Sequence, residues 1–306
     1  MPCFKKECAG ERDYVRAREA PEIPALLPGT NIEMLSAARP AKPPAHVLFD
    51  FDGTLSLIRE GWVDIMVPQL ARHLLPFARH GETDADITAL VRDFVTRLTG
   101  KQTIYQMMAL ADEITRRGGT PLDPREYKAE YLDLLMGRIA SRRRGLADGT
   151  IPRGDFLVAG SLDILAGLRD RGAAIYIASG TDEAFVIEEA RLLGVDVFAP
   201  DRIYGALADV AGFSKEMVIR RILAENRVDG ASLLGFGDGY VEIADTKAAG
   251  GFAVAVASDE AARSGQCDAW KRERLIGAGA DLVIPDYREA AKLLAWLYGV
   301  ECGHER

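Results

Sequence analysis

The run His46-Val47-Leu48-Phe49-Asp50-Phe51-Asp52-Gly53-Thr54-Leu55 decides how the rest of this 306-residue chain is read. Val47, Leu48 and Phe49 form the short apolar stretch of a strand buried on both faces. Gly53 breaks the strand and Thr54 opens a polar turn. Side chains two apart on a strand share a face, so Asp50 and Asp52 leave its tip together while Phe51 points elsewhere. Two carboxylates at one tip repel each other, and burial sharpens the repulsion. A Mg²⁺ ion, which takes oxygen ligands and few carboxylates, would relieve it. Asp and Gly are also ordinary turn-formers after a strand. The motif therefore gains meaning only from matching groups at other strand tips.

Downstream of the turn the texture is helical. Val63, Met66, Val67, Leu70, Leu74 and Leu75 recur at helical spacing, as do Ile87, Leu90, Val91, Phe94 and Leu98. Ile104, Met107, Met108, Ala111 and Ile114 give a third helix, and Tyr127, Tyr131, Leu134 and Leu135 a fourth. Gly100, Gly118-Gly119 with Pro121, and Gly149 with Pro152 punctuate the block. The expectation is an all-helical insertion over residues 59–154, the size of a small bundle. Residues 1–45, rich in Pro and Ala, read as an extended lead-in without chemistry.

From Ser161 strands alternate with helices. Ala174 to Ala178 is an apolar strand ending in Ser179-Gly180-Thr181-Asp182, and Val195 to Phe198 is expected as the next. Ser214 precedes a helix carrying Met217, Val218, Ile219, Ile222 and Leu223. Leu233 to Phe236 is a strand ending in Gly237-Asp238-Gly239. Phe252 to Val256 and Leu282 to Ile284 add two more, and Leu293 to Tyr298 lie on a closing helix. Such alternation predicts an α/β fold, a Rossmann-like parallel sheet with helices on both faces, built from residues 46–58 and 155–306. Ligands of such sheets bind beyond the carboxyl ends of the strands.

Three strand tips carry polar groups on that edge. One delivers Asp50 and Asp52, the next Ser179 and Gly180, and a later one Asp238. Ser179 has a hydroxyl to donate and the Gly180 amide is expected to open onto a helix N-terminus, both suited to a phosphate oxygen; a plain N-cap is the competing reading of Ser179. Lys215 follows the N-cap Ser214, where a cation opposes the helix dipole by roughly 0.3–1 kcal/mol. Beside Asp50 its ammonium would offset the carboxylates and bind phosphoryl oxygens. Glu242, four residues after Asp238 in the first turn of a helix, faces the same edge.

This ordered set resembles the haloacid dehalogenase superfamily in its Mg²⁺-dependent phosphatase branch with an α-helical cap, of the phosphoglycolate phosphatase and β-phosphoglucomutase type. The resemblance rests on Asp50-Phe51-Asp52-Gly53-Thr54, Ser179, Lys215, and Gly237-Asp238 with Glu242, and spans roughly residues 46–285. It implies that Asp50 is the nucleophile and Asp52 the general acid and base, with Ser179, Gly180, Lys215 and Thr54 around the phosphate. It also implies a Mg²⁺ held by Asp50, the Asp52 carbonyl and Asp238. Many relatives have an aspartate where this chain has Glu242, so Glu242 and Asp245 are alternatives for completing the metal shell. The insertion is expected to act as the cap, and Arg59, Trp62, Lys101 and Gln102 are the expected substrate contacts. The implied activity is hydrolysis of a small phosphorylated metabolite, a sugar phosphate or phosphoglycolate. A phosphomutase keeps the same residues, and a silent binding protein would bind phosphate without turnover. Asp52 and Asp238 weigh against dehalogenation, and Asp52 against phosphonate cleavage.

The bulk properties agree. A formal net charge of -8 and a pI near 5.2 argue against a general nucleic-acid or anionic-membrane binder. Arg142, Arg143 and Arg144 read as a solvated helix end. Cys3, Cys8, Cys267 and Cys302 show no paired spacing. No apolar run reaches membrane-spanning length, and Met1 to Arg12 lack the apolar segment of a secretory signal. A cytoplasmic monomer or homodimer is expected.

Overall fold

In the computed structural model, which describes residues 15–207, 209 and 212–299, His46–Phe49 forms a strand with all four side chains buried. The strands are β1 (Glu33–Met34), β2 (His46–Phe49), β3 (Ala174–Asp182), β4 (Ile203–Ala206), β5 (Leu233–Gly237), β6 (Phe252–Val256) and β7 (Leu282–Ile284). The helices are α1 (Val63–Leu74), α2 (Asp84–Arg97), α3 (Ile104–Arg116), α4 (Pro124–Asp148), α5 (Ser161–Arg169), α6 (Glu183–Leu193), α7 (Lys215–Asn226), α8 (Tyr240–Ala248), α9 (Ala269–Gly277) and α10 (Ala290–Tyr298).

One seven-stranded sheet runs in the order β1-β7-β6-β5-β2-β3-β4. Its pairs are parallel except β1 with β7, which is antiparallel. β2 is an interior strand, with β3 and β5 on either side in matched register. Leu48 joins Tyr176, Phe213, Val218, Ile219 and Ile222 on the face covered by α7. On the opposite face Phe49 stacks on Phe236 at 4.6 Å, with Tyr287 edge-on to both. Strand alternation carries the Leu48 face on to Asp50, toward α7 and α8.

The chain divides into two compact units, one containing Gly61–Ser141, the other Val15–Glu60 and the chain from Arg142 onward. In the first, Leu70, Val91, Met107, Leu110, Ile114 and Tyr131 form a buried apolar interior. Thr83 and Asp86 close a reciprocal capping box on α2.

Three expectations are corrected. Val195–Phe198 is not a strand: Gly194, at φ +73, ends α6, Val195 N donates back to Ala190 O, and Asp196–Phe198 is a 3-10 turn. The strand beside β3 is instead β4, where Ile203 pairs with Ile177. Within the described part of the lead-in, β1 adds to the free edge of β7, and Arg272 grips Glu33 through two hydrogen bonds of 2.6 Å. Finally, Arg142 is no solvated end: its guanidinium donates to Ile58 O at 2.8 Å and Glu60 O at 2.9 Å, and Arg143 pairs with Glu188.

Candidate active site

The carboxyl tip of β2 delivers Asp50, which is 5% exposed. Its amide donates to Phe236 O at 2.9 Å, so the neighbouring strand fixes its backbone. Lys215 enters from the first turn of α7, below a Ser214 cap whose Oγ accepts from Met217 N. Its Nζ donates to Asp50 Oδ1 at 2.8 Å and also contacts Glu242 Oε1. One buried ammonium thus bridges two buried carboxylates. Gly237 makes room for this: a Cβ there would lie 2.6 Å from Glu242 Cβ.

Asp52 is held from the next strand. Ser179 Oγ and Thr181 Oγ1 both donate to Asp52 Oδ2, at 3.2 and 2.9 Å. The other oxygen, Oδ1, is buried without a hydrogen-bond partner, and Arg59 Nε lies 3.8 Å from it. Arg59 is itself clamped by Glu189 through bonds of 2.9 and 2.8 Å, with Phe185 under its guanidinium. Burial raises the Glu189 carboxyl, although Arg59 opposes the rise. Glu189→Gln removes the carboxylate that Arg59 holds at 2.8 Å and leaves that buried charge with Asp52 only at 3.8 Å, so it is expected to destabilise the fold by up to roughly 3–5 kcal/mol. Replacing both by apolar residues (R59M/E189L) should recover most of that loss. Urea denaturation of wild type and the two variants measures it, and a double variant no more stable than the single one contradicts the pairing.

Asp238, at the tip of β5, meets the β2 turn directly. Its amide donates to Thr54 Oγ1 at 3.0 Å, and Thr54 Oγ1 lies 3.4 Å from Asp238 Oδ1. Gly53, at φ +73, allows this approach; a Cβ there would fall 2.1 Å from Asp238 Oδ2. Lys271, from the first turn of α9, donates to Asp238 Oδ2 at 2.8 Å, Glu260 Oε1 at 2.6 Å and Ser258 Oγ at 3.2 Å. Ser258 Oγ passes its own hydrogen to Gly53 O at 2.7 Å. Burial works against the Lys271 charge, but Asp238 and Glu260 outweigh it and hold the ammonium protonated.

The site carries a surplus of negative charge. Asp50, Asp52, Asp238, Glu189, Glu242 and Glu260 outnumber Lys215, Lys271 and Arg59. Burial pushes Asp50 up to about 7, against the pull of Lys215 and with a push from Asp238. A divalent cation fits this surplus and the all-oxygen donors. Among the described residues no three His, Cys, Asp or Glu side chains gather as a metal-holding group. A cation bound there would draw on one or two carboxylates and waters, the manner in which Mg²⁺ is commonly held.

The raised Asp50 has a consequence for stability. Between the ordinary 3.8 and about 7 the folded chain holds a proton there that the unfolded chain has released. Folded protein binds more protons across that window, so stability falls as pH rises through it. In EDTA the thermal midpoint is expected to drop between pH 5 and pH 7.5, with Asp50→Asn flattening the drop. A midpoint that instead rises with pH in wild type, unchanged by the substitution, contradicts the assignment.

Of the expected residues, Asp50 meets Lys215 and through it Glu242, Asp52 meets Ser179 and Arg59, and Thr54 meets Asp238, whose charge also acts on Asp50. Gly180 lies in extended β3, which runs on to Asp182, and α6 begins only at Glu183, so its amide does not open a helix as expected. Arg59, expected to touch substrate, is 6% exposed and committed to Glu189. Glu242, an alternative with Asp245 for the metal shell, is the acid that meets Lys215. Trp62, Lys101 and Gln102 belong to the helical unit; Lys101 Nζ lies over the Tyr105 ring at 5.4 Å and Gln102 is buried. Thr181, Ser258, Glu260 and Lys271 were not anticipated. Lys271 carried a legible signal, a cation in the first turn of a helix capped by Asp268.

A profile of the haloacid dehalogenase-like hydrolases matches residues 44–250, and the chain belongs to that family. Comparison with curated protein sequences gave no match. Solved structures share the fold at low identity. A predicted phosphoglycolate phosphatase from Haemophilus somnus aligns with a TM-score of 0.52 and 14% identity, covering 83% of this chain and 99% of that one. A predicted phosphatase from Clostridium acetobutylicum gives 0.51 and 16%, covering 82% and 98%. A haloacid dehalogenase-like protein of unknown function from Agrobacterium tumefaciens gives 0.50 and 18%, also covering 82% and 98%. Among the described residues no helix is long and apolar enough to cross a membrane.

Proposed function

We propose that the protein is a Mg²⁺-dependent phosphomonoester hydrolase that works through a phosphorylated Asp50 on a small phosphorylated metabolite of the sugar phosphate or phosphoglycolate type. The observation that carries this reading is the 2.8 Å contact of Lys215 Nζ with Asp50, two residues from an Asp52 oriented by two hydroxyls. A carboxylate beside a fixed ammonium is placed to attack phosphorus while the cation meets the phosphoryl oxygens. The phosphatase names of the Haemophilus and Clostridium structures are consistent with a phosphate ester substrate.

Asp50 attacks phosphorus, and Asp52, which enters this step protonated, gives its proton to the leaving oxygen as the P–O bond breaks. Because Ser179 and Thr181 both occupy Oδ2, the proton moves through Asp52 Oδ1. The same oxygen then accepts a proton from the water that hydrolyses the acyl phosphate. Lys215 stabilises charge on the transferring group, and Glu242 holds Lys215 in place. Asp50, the Asp52 carbonyl and Asp238 would hold Mg²⁺, which when bound neutralises the phosphoryl oxygens. The helical unit is proposed as the cap, with Trp62, Lys101 and Gln102 as leaving-group contacts.

Phosphate release from a panel of phosphorylated metabolites, with Mg²⁺ and again with EDTA, tests the proposal, with Asp50→Asn as the blank. Release that requires Mg²⁺ and Asp50 is expected. Turnover indifferent to EDTA, or retained in the variant, overturns it.

A further inference from the structure

Lys271 is a largely buried cation of this centre to which the proposed chemistry gives no role. Its side chain is 12% exposed, and its Nζ has as many hydrogens as it has oxygen partners: Asp238 Oδ2, Glu260 Oε1 and Ser258 Oγ. With every donor taken, none is left for a substrate phosphate. Two carboxylate oxygens and a hydroxyl are the hard donors that suit a divalent ion as well as they suit an ammonium. Gly53 presses its backbone against this cradle: a Cβ on it would lie 2.1 Å from Asp238 Oδ2 and 3.0 Å from Glu260 Oε1, and Ser258 ties the cradle to Gly53 O. The cradle and the proposed Mg²⁺ site thus share Asp238, as neighbouring ions share a carboxylate in two-metal centres.

We propose that Lys271 is a built-in cation filling a second cation subsite, the cradle of Asp238, Glu260 and Ser258, and that it limits the centre to a single divalent ion. The Mg²⁺ site itself rests on the reading given above; the cradle rests on Lys271 and its own oxygens. Removing the ammonium leaves Asp238 and Glu260 facing each other across a polar gap with no counter-charge, which a metal ion would fill.

The test is the stoichiometry of Mn²⁺ binding, followed by the electron paramagnetic resonance signal of the free ion, in wild type, Lys271→Ala and Lys271→Ala with Glu260→Gln. Folding is checked by circular dichroism, and Lys271→Ser replaces the alanine variant if that does not fold. Wild type is expected to bind about one ion per chain, Lys271→Ala about two, and the double variant about one again. One ion in both wild type and Lys271→Ala overturns the cradle and leaves the Mg²⁺ site standing. No ion in wild type but one in Lys271→Ala overturns the Mg²⁺ site and leaves the cradle standing. No ion in either overturns both, and two in wild type overturn the proposal that Lys271 blocks the second position.

Discussion

Asp50→Asn should lose turnover by at least about 10⁴-fold while folding normally. The magnitude follows from removing the group that forms the covalent bond, because positioning and electrostatics without a nucleophile recover only a small part of the rate. Normal folding follows from the surroundings. Asn is nearly isosteric, the Asp50 amide still bonds Phe236 O, and Lys215 keeps Glu242 as a partner. The substitution also removes a charge that burial and Asp238 disfavour. Without divalent ions the variant should therefore be at least as stable as wild type at neutral pH, which thermal unfolding in EDTA measures. A variant that is both inactive and strongly destabilised would point to Asp50 as a structural residue.

Lys215→Met is the second large effect, and it differs in kind. Methionine matches the length of the lysine stem without the charge, so Asp50 and Glu242 would remain buried with no cation between them. Each then disfavours ionisation of the other, and Asp50 becomes a protonated, unreactive carboxyl at neutral pH. Loss of the ammonium also removes a fixed stabiliser of the transferring phosphoryl group, an effect of order 10²–10³-fold. The two losses combine to an expected drop of at least about 10³-fold in kcat, with the residual activity rising toward higher pH. Lys215→Arg should not restore the rate, since a planar guanidinium cannot take the place of a compact ammonium bridging two carboxylates. Full activity in the arginine variant, or a methionine variant with an unshifted pH profile, would contradict this role.

Much of this centre was legible in the residues. The apolar run before Asp50 marked a strand buried on both faces, and that strand lies in the interior of the sheet between β3 and β5. Lys215 stood out because a cation in a helix's first turn opposes the dipole without local reason, and its reason is Asp50. The same signal stood at Lys271 and was missed, because no helix was assigned between Val256 and Leu282. Arg59 illustrates what a linear reading lacks: its partner Glu189 lies on α6, and only the fold brings them together. β4 escaped for a related reason. Four residues with little periodicity become a strand through pairing with β3, while the more apolar Val195–Phe198 is drawn into a turn by the Gly194 cap.

Rapid acid quench of the enzyme during turnover, followed by borohydride reduction and mass spectrometry of the peptide carrying residues 46–59, identifies the residue that accepts the phosphoryl group. An acyl phosphate on Asp50 is reduced to homoserine at position 50, and Asp52 is left unchanged. Homoserine at position 52, or turnover that proceeds with neither residue reduced, would contradict covalent catalysis by Asp50.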